Sequence, residues 1–256
     1  MCIRDRDKLA TVVANQGETA NERMQNRFKS RAYKKAQETI MSYQGDILTP
    51  AQLKGLPGIG ETIMEKLNEY VTTGKLRLLE REKENPINLL AEVYGIGAVK
   101  AKELVDKGVK TLDQLRERQD ELLNDTQKVG LKYHADIMRR IPRSEITKYD
   151  QIFSADFQKV LTAFPAAAAA SRFEIVGSYR RGAADSGDID MIITSSDKNI
   201  FKAFVDMLIG QKIIVEVLTR GPTKCLVITK LPDEPYARRV DFLYASPEEY
   251  PFAVLY

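Results

Sequence analysis

The sequence of 256 residues contains few of the side chains from which many metal centres and covalent catalytic sites are built. Its two cysteines, Cys2 and Cys225, are too few for a disulfide framework or a cysteine-rich zinc site, so we expect a reducing, intracellular setting. His134 is the single histidine, which argues against a histidine-based metal centre and a Ser-His-Asp triad. Metal chemistry in this chain must therefore depend on carboxylates.

Long hydrophobic runs are also absent. The run of five alanines from Ala166 to Ala170 is far shorter than the ~18 consecutive apolar residues of a membrane span. No signal peptide opens the chain. Apolar residues make up 43% and charged residues 29% of the sequence, a composition that predicts a globular protein with a buried core and no membrane partner.

Charge is distributed unevenly, although the net charge is only +3. Residues 1–143 carry 26 basic and 21 acidic side chains, whereas residues 144–256 carry 13 and 15. Positions 23–37 contain no acidic residue and six basic ones, namely Arg23, Arg27, Lys29, Arg31, Lys34 and Lys35. Such a run is either a solvated helix face or a phosphate-binding surface, and composition alone does not separate the two.

A short glycine pattern occurs twice in the first half of the chain. Residues 56–60 read Leu-Pro-Gly-Ile-Gly and residues 93–97 read Val-Tyr-Gly-Ile-Gly, and each copy precedes an amphipathic helical pattern. The glycines allow a tight turn and a close approach of the backbone to a ligand. Each copy is either a simple connection between helices or a place where backbone N–H groups approach a ligand.

The pattern of apolar residues changes near Ile141. Upstream, short helices are predicted, including residues 24–43 and 51–53. Downstream, helices are predicted at 148–164 and 200–208, and β-strands at 173–176, 189–194, 213–218, 225–229 and 240–244. The sequence therefore predicts a helical N-terminal part followed by an α+β part.

Three aspartates in the second part are arranged as in a metal site. Asp188 and Asp190 project from the same face of a predicted strand, while Ile189 and Met191 face the core. Adjacent carboxylates repel unless a divalent cation lies between them, and oxygen ligands favour Mg²⁺ or Mn²⁺. Asp241, on a later strand, supplies a third carboxylate for a two-metal site of the kind used in phosphoryl transfer.

A turn that suits a phosphate group precedes these aspartates. Residues 177–182 read Gly-Ser-Tyr-Arg-Arg-Gly, and the Ser178 hydroxyl, the backbone N–H groups and the Arg181 guanidinium are suitable phosphate ligands. An isolated Asp-x-Asp usually marks only a surface strand. The order of turn, aspartate pair and later Arg239-Val240-Asp241 favours a site that processes phosphates.

Taken together, these motifs resemble those of the family X DNA polymerases, the nucleotidyltransferases that include DNA polymerase beta. The matching segments are residues 56–60, 95–97, 140–143, 177–182, 187–190 and 238–241, within a resemblance that runs from about Arg27 to Tyr256. The resemblance implies three domains: a helical lyase-like domain with the first helix-hairpin-helix (1–80), a helical DNA-binding subdomain with the second (81–142), and a polymerase beta-like nucleotidyltransferase palm with a mixed sheet (143–256). It also implies a final C-terminal subdomain beyond Tyr256.

The activity implied by the resemblance is gap-filling DNA synthesis in base excision repair. Asp188, Asp190 and Asp241 match the aspartates that hold two Mg²⁺ ions while the primer 3′-hydroxyl attacks the α-phosphate of a dNTP. Arg239 matches an arginine that helps to set the active conformation. The residues that match triphosphate-binding groups are Arg140, Ser178, Arg181 and Gly187.

The resemblance assigns DNA contacts to the helical part. Lys66 matches the Schiff-base lysine of a 5′-deoxyribose-phosphate lyase, although Thr62 stands where a second lysine is expected. The expected DNA contacts are Lys29, Tyr33, Lys34, Gly58, Gly60, Gly95 and Gly97. A monovalent cation, K⁺ or Na⁺, is expected at the backbone carbonyls of Leu56, Ile59, Tyr94 and Ile96.

The implied partners are gapped or nicked DNA and a dNTP, bound by a monomer that is nuclear if its source is eukaryotic. Two other hypotheses stay open from the sequence. One is a DNA-binding lyase module without polymerase activity. The other is a template-independent nucleotidyltransferase.

Overall fold

The computed structural model of the chain describes residues 20–255. Residues 1–19, which include Cys2, and Tyr256 lie outside the described residues. The side chain of Arg23 also lies outside them. The described residues form two compact units that divide between Leu122 and Leu123. The division into three domains stays a prediction.

The first unit is helical throughout the part that the structure describes. It contains a 3₁₀ turn at Pro50–Leu53 and the helices α1 (Ala20–Met41), α2 (Glu61–Thr73), α3 (Arg77–Lys83), α4 (Pro86–Ala91), α5 (Ala98–Asp106), α6 (Leu112–Glu117) and α7 (Gln119–Leu122). Ala36 of α1 is buried with Leu53 and Ile59, and the partly buried Ile63 and Leu67 of α2 pack against this cluster. The apolar stripe of α2 therefore holds it against α1 and the first glycine turn.

The second unit mixes helices and strands. Its helices are α8 (Asp125–Lys132), α9 (His134–Ile137), α10 (Arg143–Thr162), α11 (Pro165–Ala168), α12 (Gly177–Arg180), α13 (Asn199–Gly210) and α14 (Tyr250–Leu255). Its strands are β1 (Ile141–Pro142), β2 (Arg172–Ile175), β3 (Asp185–Ser186), β4 (Ile189–Thr194), β5 (Ile214–Arg220), β6 (Lys224–Thr229) and β7 (Arg238–Ala245). No described helix has both the length and the apolar composition of a membrane span.

Five of the strands form one sheet in the order β2-β4-β7-β6-β5. The β4–β7 pair is parallel and the other pairs are antiparallel. The predicted α+β fold with a mixed sheet is therefore confirmed. The short strands β1 and β3 pair separately, with Ile141 opposite Ser186 and Pro142 opposite Asp185.

One face of the five-stranded sheet is covered by an aromatic core. Phe153 and Phe157 of α10 pack around Phe204 of α13, and the ring centroids of Phe153 and Phe242 are 5.7 Å apart. Because side chains alternate along a strand, Phe242 is fully buried while its neighbour Asp241 points to the opposite face. The core thereby determines which side chains of β7 remain available to a ligand.

Most helix and strand ends lie within two residues of the predictions, but α1 begins four residues early, at Ala20, and α10 five residues early. Strand β4 begins and ends as predicted. Helix α10 begins at Arg143, ahead of the predicted Lys148, because the Arg143 guanidinium donates to the carbonyls of Tyr179 and Ala183. Strand β7 begins two residues early, at Arg238, since the guanidinium of that residue is buried against Glu145.

We predict that this buried ion pair carries much of the stability of the second unit. Arg238 binds the Glu145 carboxylate through two hydrogen bonds of 2.7 and 2.8 Å, and the two side chains are only 4% and 8% exposed. Glu145→Ala leaves a buried guanidinium unpaired, and we expect the free energy of unfolding in urea to fall by about 3–5 kcal/mol.

Glu234→Ala is the matched control, because it removes the partner of the exposed Lys148. For Glu234→Ala we expect a much smaller decrease in the free energy of unfolding, since water can solvate the Lys148 ammonium when its partner is removed. Equal losses in the two variants would show that the buried pair has no special role.

Candidate functional site

The three predicted aspartates converge on the open face of the sheet. Parallel pairing places Asp190 of β4 directly opposite Asp241 of β7, and Asp188 immediately precedes β4. Each of the three half-buried side chains offers a carboxylate oxygen, and these oxygens all lie within 4.8 Å of one another.

The carboxylates are electrostatically unfavourable in this position. Burial raises the pKa of Asp190, and the negative charge of Asp241 raises it further, while Arg181 and Lys224 act in the opposite direction. Burial likewise raises the pKa of Asp241 against the opposing charges of Arg239 and Lys224. A group whose charged form is disfavoured by burial and by a like charge is stabilised by a bound cation.

The donor set fits a hard divalent cation. Oδ1 of Asp241 is buried and has no hydrogen-bond partner among the described residues. Arg239 pairs with the carboxylate of Asp188, and its Nε lies 3.3 Å from that Asp241 oxygen. Three carboxylates that present oxygen atoms alone match the ligand preference of Mg²⁺ or Mn²⁺.

Gly177 lies in close contact with this carboxylate cluster. The residue has a φ of +63°, and a Cβ atom at this position would overlap Oδ2 of Asp190. The backbone N–H of Val176 donates to the Asp190 carbonyl at 2.8 Å, which fixes the turn beside β4. Glycine is required here because any side chain occupies the space of the carboxylate.

The residues expected to bind a triphosphate lie beside the aspartates. Ser178 Oγ donates to Ser186 Oγ at 2.7 Å, and Arg140 binds the Asp185 carboxylate at 2.6 Å. Gly187 faces Arg140, whose Nη1 lies 3.2 Å from the position of an added Cβ. The fourth, Arg181, is exposed on the turn after α12, and its charge acts on Asp190. Strand β3 therefore links Arg140, Ser178 and Gly187 in one region next to Asp188.

Two groups that position this region carry little signal in the sequence. Asp185 and Ser186, the partners of Arg140 and Ser178, belong to a strand of two residues that has no periodicity to detect. Arg143 donates to the Tyr179 carbonyl at 2.6 Å, and its guanidinium lies 4.1 Å from the centre of the Tyr179 ring. The motif at 140–143 contains Arg143, but only the fold shows that it holds α12.

The two glycine patterns form turns of the same geometry. Gly58 and Gly95 have φ values of +80° and +83°. The N–H of Ile59 donates to the Leu56 carbonyl and that of Ile96 to the Val93 carbonyl, both at 3.0 Å. Gly60 and Gly97 precede α2 and α5 with φ values of −87° and −86°. The repeat in the sequence is therefore a repeat in structure, in which Val93 rather than Tyr94 is equivalent to Leu56.

The first turn packs closely against helix α1. A Cβ atom added to Gly58 lies 2.9 Å from Cγ of Lys35, and the Thr39 hydroxyl donates to the Pro57 carbonyl at 2.6 Å. Gly58 is thus required both by its positive φ and by the neighbouring helix. Its contact with DNA, like the cation contacts of the hairpin carbonyls, stays a prediction.

The remaining predicted residues lie on two helices of the first unit. Lys29 and Lys34 are exposed on α1, while Tyr33 on the same helix is half-buried and its pKa is raised by burial. Lys66 is half-buried on α2. The roles of these four residues stay predictions.

Three family models match successive parts of the chain. Residues 140–247 match "DNA polymerase beta palm", residues 88–138 match "Fingers domain of DNA polymerase lambda", and residues 9–76 match "Helix-hairpin-helix domain". The chain belongs to the family X DNA polymerases. The palm match of this family X chain contains all three aspartates, and the fingers match contains the second glycine turn.

Named relatives agree with this assignment. The family X chain is 38% identical over 181 residues to DNA polymerase lambda of Arabidopsis thaliana, covering 69% of the chain and 32% of the relative. It is 30% identical over 188 residues to the DNA polymerase type-X family protein pol4 of Schizosaccharomyces pombe, covering 71% and 35%. It is 26% identical over 243 residues to DNA polymerase lambda of Rattus norvegicus, covering 90% and 41%. The chain spans about a third to two-fifths of the length of these relatives.

We predict that Gly177→Ala disrupts the aspartate site while Gly182→Ala does not. Gly182 also has a positive φ, of +81°, but an added Cβ meets nothing within 4 Å. Both variants share the backbone cost of alanine at positive φ, roughly 1–2 kcal/mol. Gly177→Ala adds the overlap with Asp190, which we expect to lower the free energy of unfolding in urea by about 1–3 kcal/mol more.

Mn²⁺ binding, measured by electron paramagnetic resonance, should weaken only in Gly177→Ala. Equal Mn²⁺ affinity in both variants would contradict the close contact.

Proposed function

We propose that this chain carries the nucleotidyl-transfer site of a DNA-directed DNA polymerase that fills gaps during base excision repair. The observation that carries the proposal is the convergence of three half-buried carboxylates beside a glycine-serine turn and two arginines. Membership of family X and relatives named as DNA polymerases support the same activity.

The reaction joins the primer 3′-oxygen to the α-phosphorus of a dNTP and breaks the bond to the β-phosphate, which releases pyrophosphate. Asp241 is the residue that we assign to accept the hydroxyl proton, because it belongs to the carboxylate cluster and burial raises its pKa against the opposing charges of Arg239 and Lys224. Ser178, Arg181 and Arg140 bind the triphosphate through a hydroxyl and two guanidinium groups. Two divalent cations held by the three aspartates, when bound, supply Lewis acidity and neutralise phosphate charge.

The helical unit is proposed to hold gapped or nicked DNA without reading its sequence. The two turns at 56–60 and 93–97 share one backbone geometry, so each can present N–H groups to phosphate oxygens. The exposed Lys29 and Lys34 add positive charge. K⁺ or Na⁺ at the hairpin carbonyls, a monomeric state and a nuclear location in a eukaryotic source belong to the same proposal.

Replacing Asp190 tests the polymerase proposal. In the protein expressed from its complete reading frame, we expect Asp190→Asn to slow Mg²⁺-dependent insertion of one dNTP into a single-nucleotide gap by about a thousandfold or more, since several kcal/mol of charge stabilisation is lost. Gel-resolved primer extension measures the rate. Asp206→Asn is the control, because Asp206 is an aspartate in a surface ion pair with Arg220.

The same assay separates the competing hypotheses. Full insertion by Asp190→Asn would refute the assigned site. Equal addition by the unmodified protein to a primer without template would favour a template-independent nucleotidyltransferase. DNA binding without any insertion by the unmodified protein would favour a DNA-binding lyase module.

We also propose that Lys66 removes the 5′-deoxyribose phosphate. Its amine attacks the C1′ aldehyde carbon of the sugar, and water leaves as an imine forms. β-Elimination then breaks the bond between C3′ and its oxygen, which leaves with the 5′-phosphate of the DNA strand, and water hydrolyses the imine to free Lys66. The proposal is supported by the half-buried position of Lys66 on α2 and by the match of residues 9–76 to a helix-hairpin-helix domain.

Borohydride trapping on incised abasic DNA tests this second activity. We expect a covalent adduct with the unmodified protein, a signal close to background with Lys66→Ala, and an undiminished signal with Lys75→Ala, which replaces an exposed lysine just beyond the same helix. An adduct that survives Lys66→Ala would assign the chemistry to another amine.

A further inference from the structure

Arg140 and Asp185 are carried by two short strands that pair with each other. Arg140 immediately precedes β1, and Asp185 begins β3, where it lies opposite Pro142. The N–H of Arg143 donates to the Ala184 carbonyl at 2.9 Å, which continues the same antiparallel register. The backbones that carry the two charged side chains are therefore held in fixed positions relative to each other.

Asp185 binds one edge of the Arg140 guanidinium through three hydrogen bonds. Its Oδ1 accepts from Nε at 3.0 Å and from Nη2 at 2.6 Å, and its backbone carbonyl accepts from Nη2 at 2.9 Å. Hydrogen bonds from a guanidinium to a carboxylate are among the stronger ones in proteins. Because a guanidinium is a rigid planar fork, bonds along one edge determine the direction of the opposite edge.

The opposite edge of this guanidinium faces the proposed triphosphate site. A Cβ atom added to Gly187 would lie 3.2 Å from Nη1 of Arg140, so this nitrogen lies against the Gly187 backbone. Gly187 directly precedes Asp188 of the carboxylate cluster. A phosphate bound beside the aspartates can therefore accept from Nη1 while Nε and Nη2 stay bonded to Asp185.

This ion pair is too exposed to contribute much to stability. The Arg140 and Asp185 side chains are 42% and 53% exposed, and pairs of this kind add little to the free energy of unfolding. The Asp185 charge also repels an anionic ligand, although solvent and the Arg140 charge screen that repulsion. The benefit of an aspartate at this position therefore lies in the orientation of Arg140.

We propose that Asp185 is a positioning residue, which holds the Arg140 guanidinium in the orientation that binds the triphosphate and thereby raises the affinity for dNTP. The proposal rests on the proposed function, because it requires Arg140 to contact the nucleotide. A side chain that is already oriented loses less conformational freedom on binding than a mobile one. Loss of Asp185 should therefore weaken nucleotide binding and leave the chemical step unchanged.

Two variants of Asp185 separate orientation from charge. Asp185→Ala removes the Oδ1 acceptor, whereas Asp185→Asn removes the negative charge and keeps an oxygen acceptor at the same place. Asp206→Ala is the control, because Asp206 pairs with Arg220 at the same distance of 2.6 Å and is 48% exposed. Single-turnover insertion of Mg²⁺-dATP into single-nucleotide gapped DNA, by the protein expressed from its complete reading frame, gives an apparent Kd and a maximal rate.

The expected results differ between the variants. In Asp185→Ala we expect the apparent Kd for dATP to rise about threefold to tenfold, as for the ordering of one arginine side chain, with a maximal rate within about twofold of the unmodified value. In Asp185→Asn we expect a Kd no higher than that of the unmodified protein. Asp206→Ala should leave both values unchanged. The midpoint of urea unfolding should be the same in all of these proteins, whereas a merely structural role would lower it in Asp185→Ala.

A double-mutant cycle shows whether Asp185 acts through Arg140. Arg140→Ala alone should raise the Kd for dATP, because a proposed phosphate ligand is lost. Adding Asp185→Ala to that variant should raise the Kd no further, since no guanidinium remains to be oriented.

The outcomes separate this inference from the proposed function. An unchanged or lower Kd in Asp185→Ala, or a rise of the same size in the Arg140→Ala background, would overturn the role of Asp185 alone. Equal rises in Asp185→Ala and Asp185→Asn would assign the effect to charge and would also overturn it. An unchanged Kd in Arg140→Ala would overturn the contact of Arg140 with the triphosphate. Failure of the unmodified protein to insert dATP would overturn the proposed function, and the inference with it.

Discussion

The parallel pairing of β4 with β7 is the constraint on which the second unit depends. The register that places Asp190 opposite Asp241 also places Ile189 opposite Val240, and both of these apolar residues are buried. Because side chains alternate, a shift of one residue would send the carboxylates into the aromatic core and the apolar residues into solvent. The hydrophobic effect, which acts on the covered face, therefore fixes the geometry of the charged face.

The charged face is unfavourable for folding, and the surrounding contacts offset it. Burial raises the pKa of both Asp190 and Asp241, and Gly177 approaches the carboxylate as closely as a residue without a side chain allows. The paired Arg238 and Glu145 anchor the start of β7, and Arg143 holds the turn at Tyr179. These contacts fix the elements that carry and flank the three like charges.

Much of this fold is predictable because its signals are local. Strand β4 follows from a run of β-branched residues, and the two glycine turns follow from a repeat that needs positive φ at the same position. Asp188 and Asp190 share a face by strand geometry alone. By contrast, β1 and β3 depend on each other across some 45 residues, and the early starts of α10 and β7 depend on Arg143 and Arg238, whose partners are distant in the chain.

The sequence by itself determined the helical and mixed α/β parts, the identity of the three carboxylates and the resemblance to family X, since these are properties of composition, alternation and spacing. The tertiary structure alone decided that Asp241 lies opposite Asp190 and that Asp185 and Ser186 are the partners of Arg140 and Ser178. The physical reason is distance along the chain. A local pattern reports which face a side chain occupies, but only packing and register determine which distant side chain it meets.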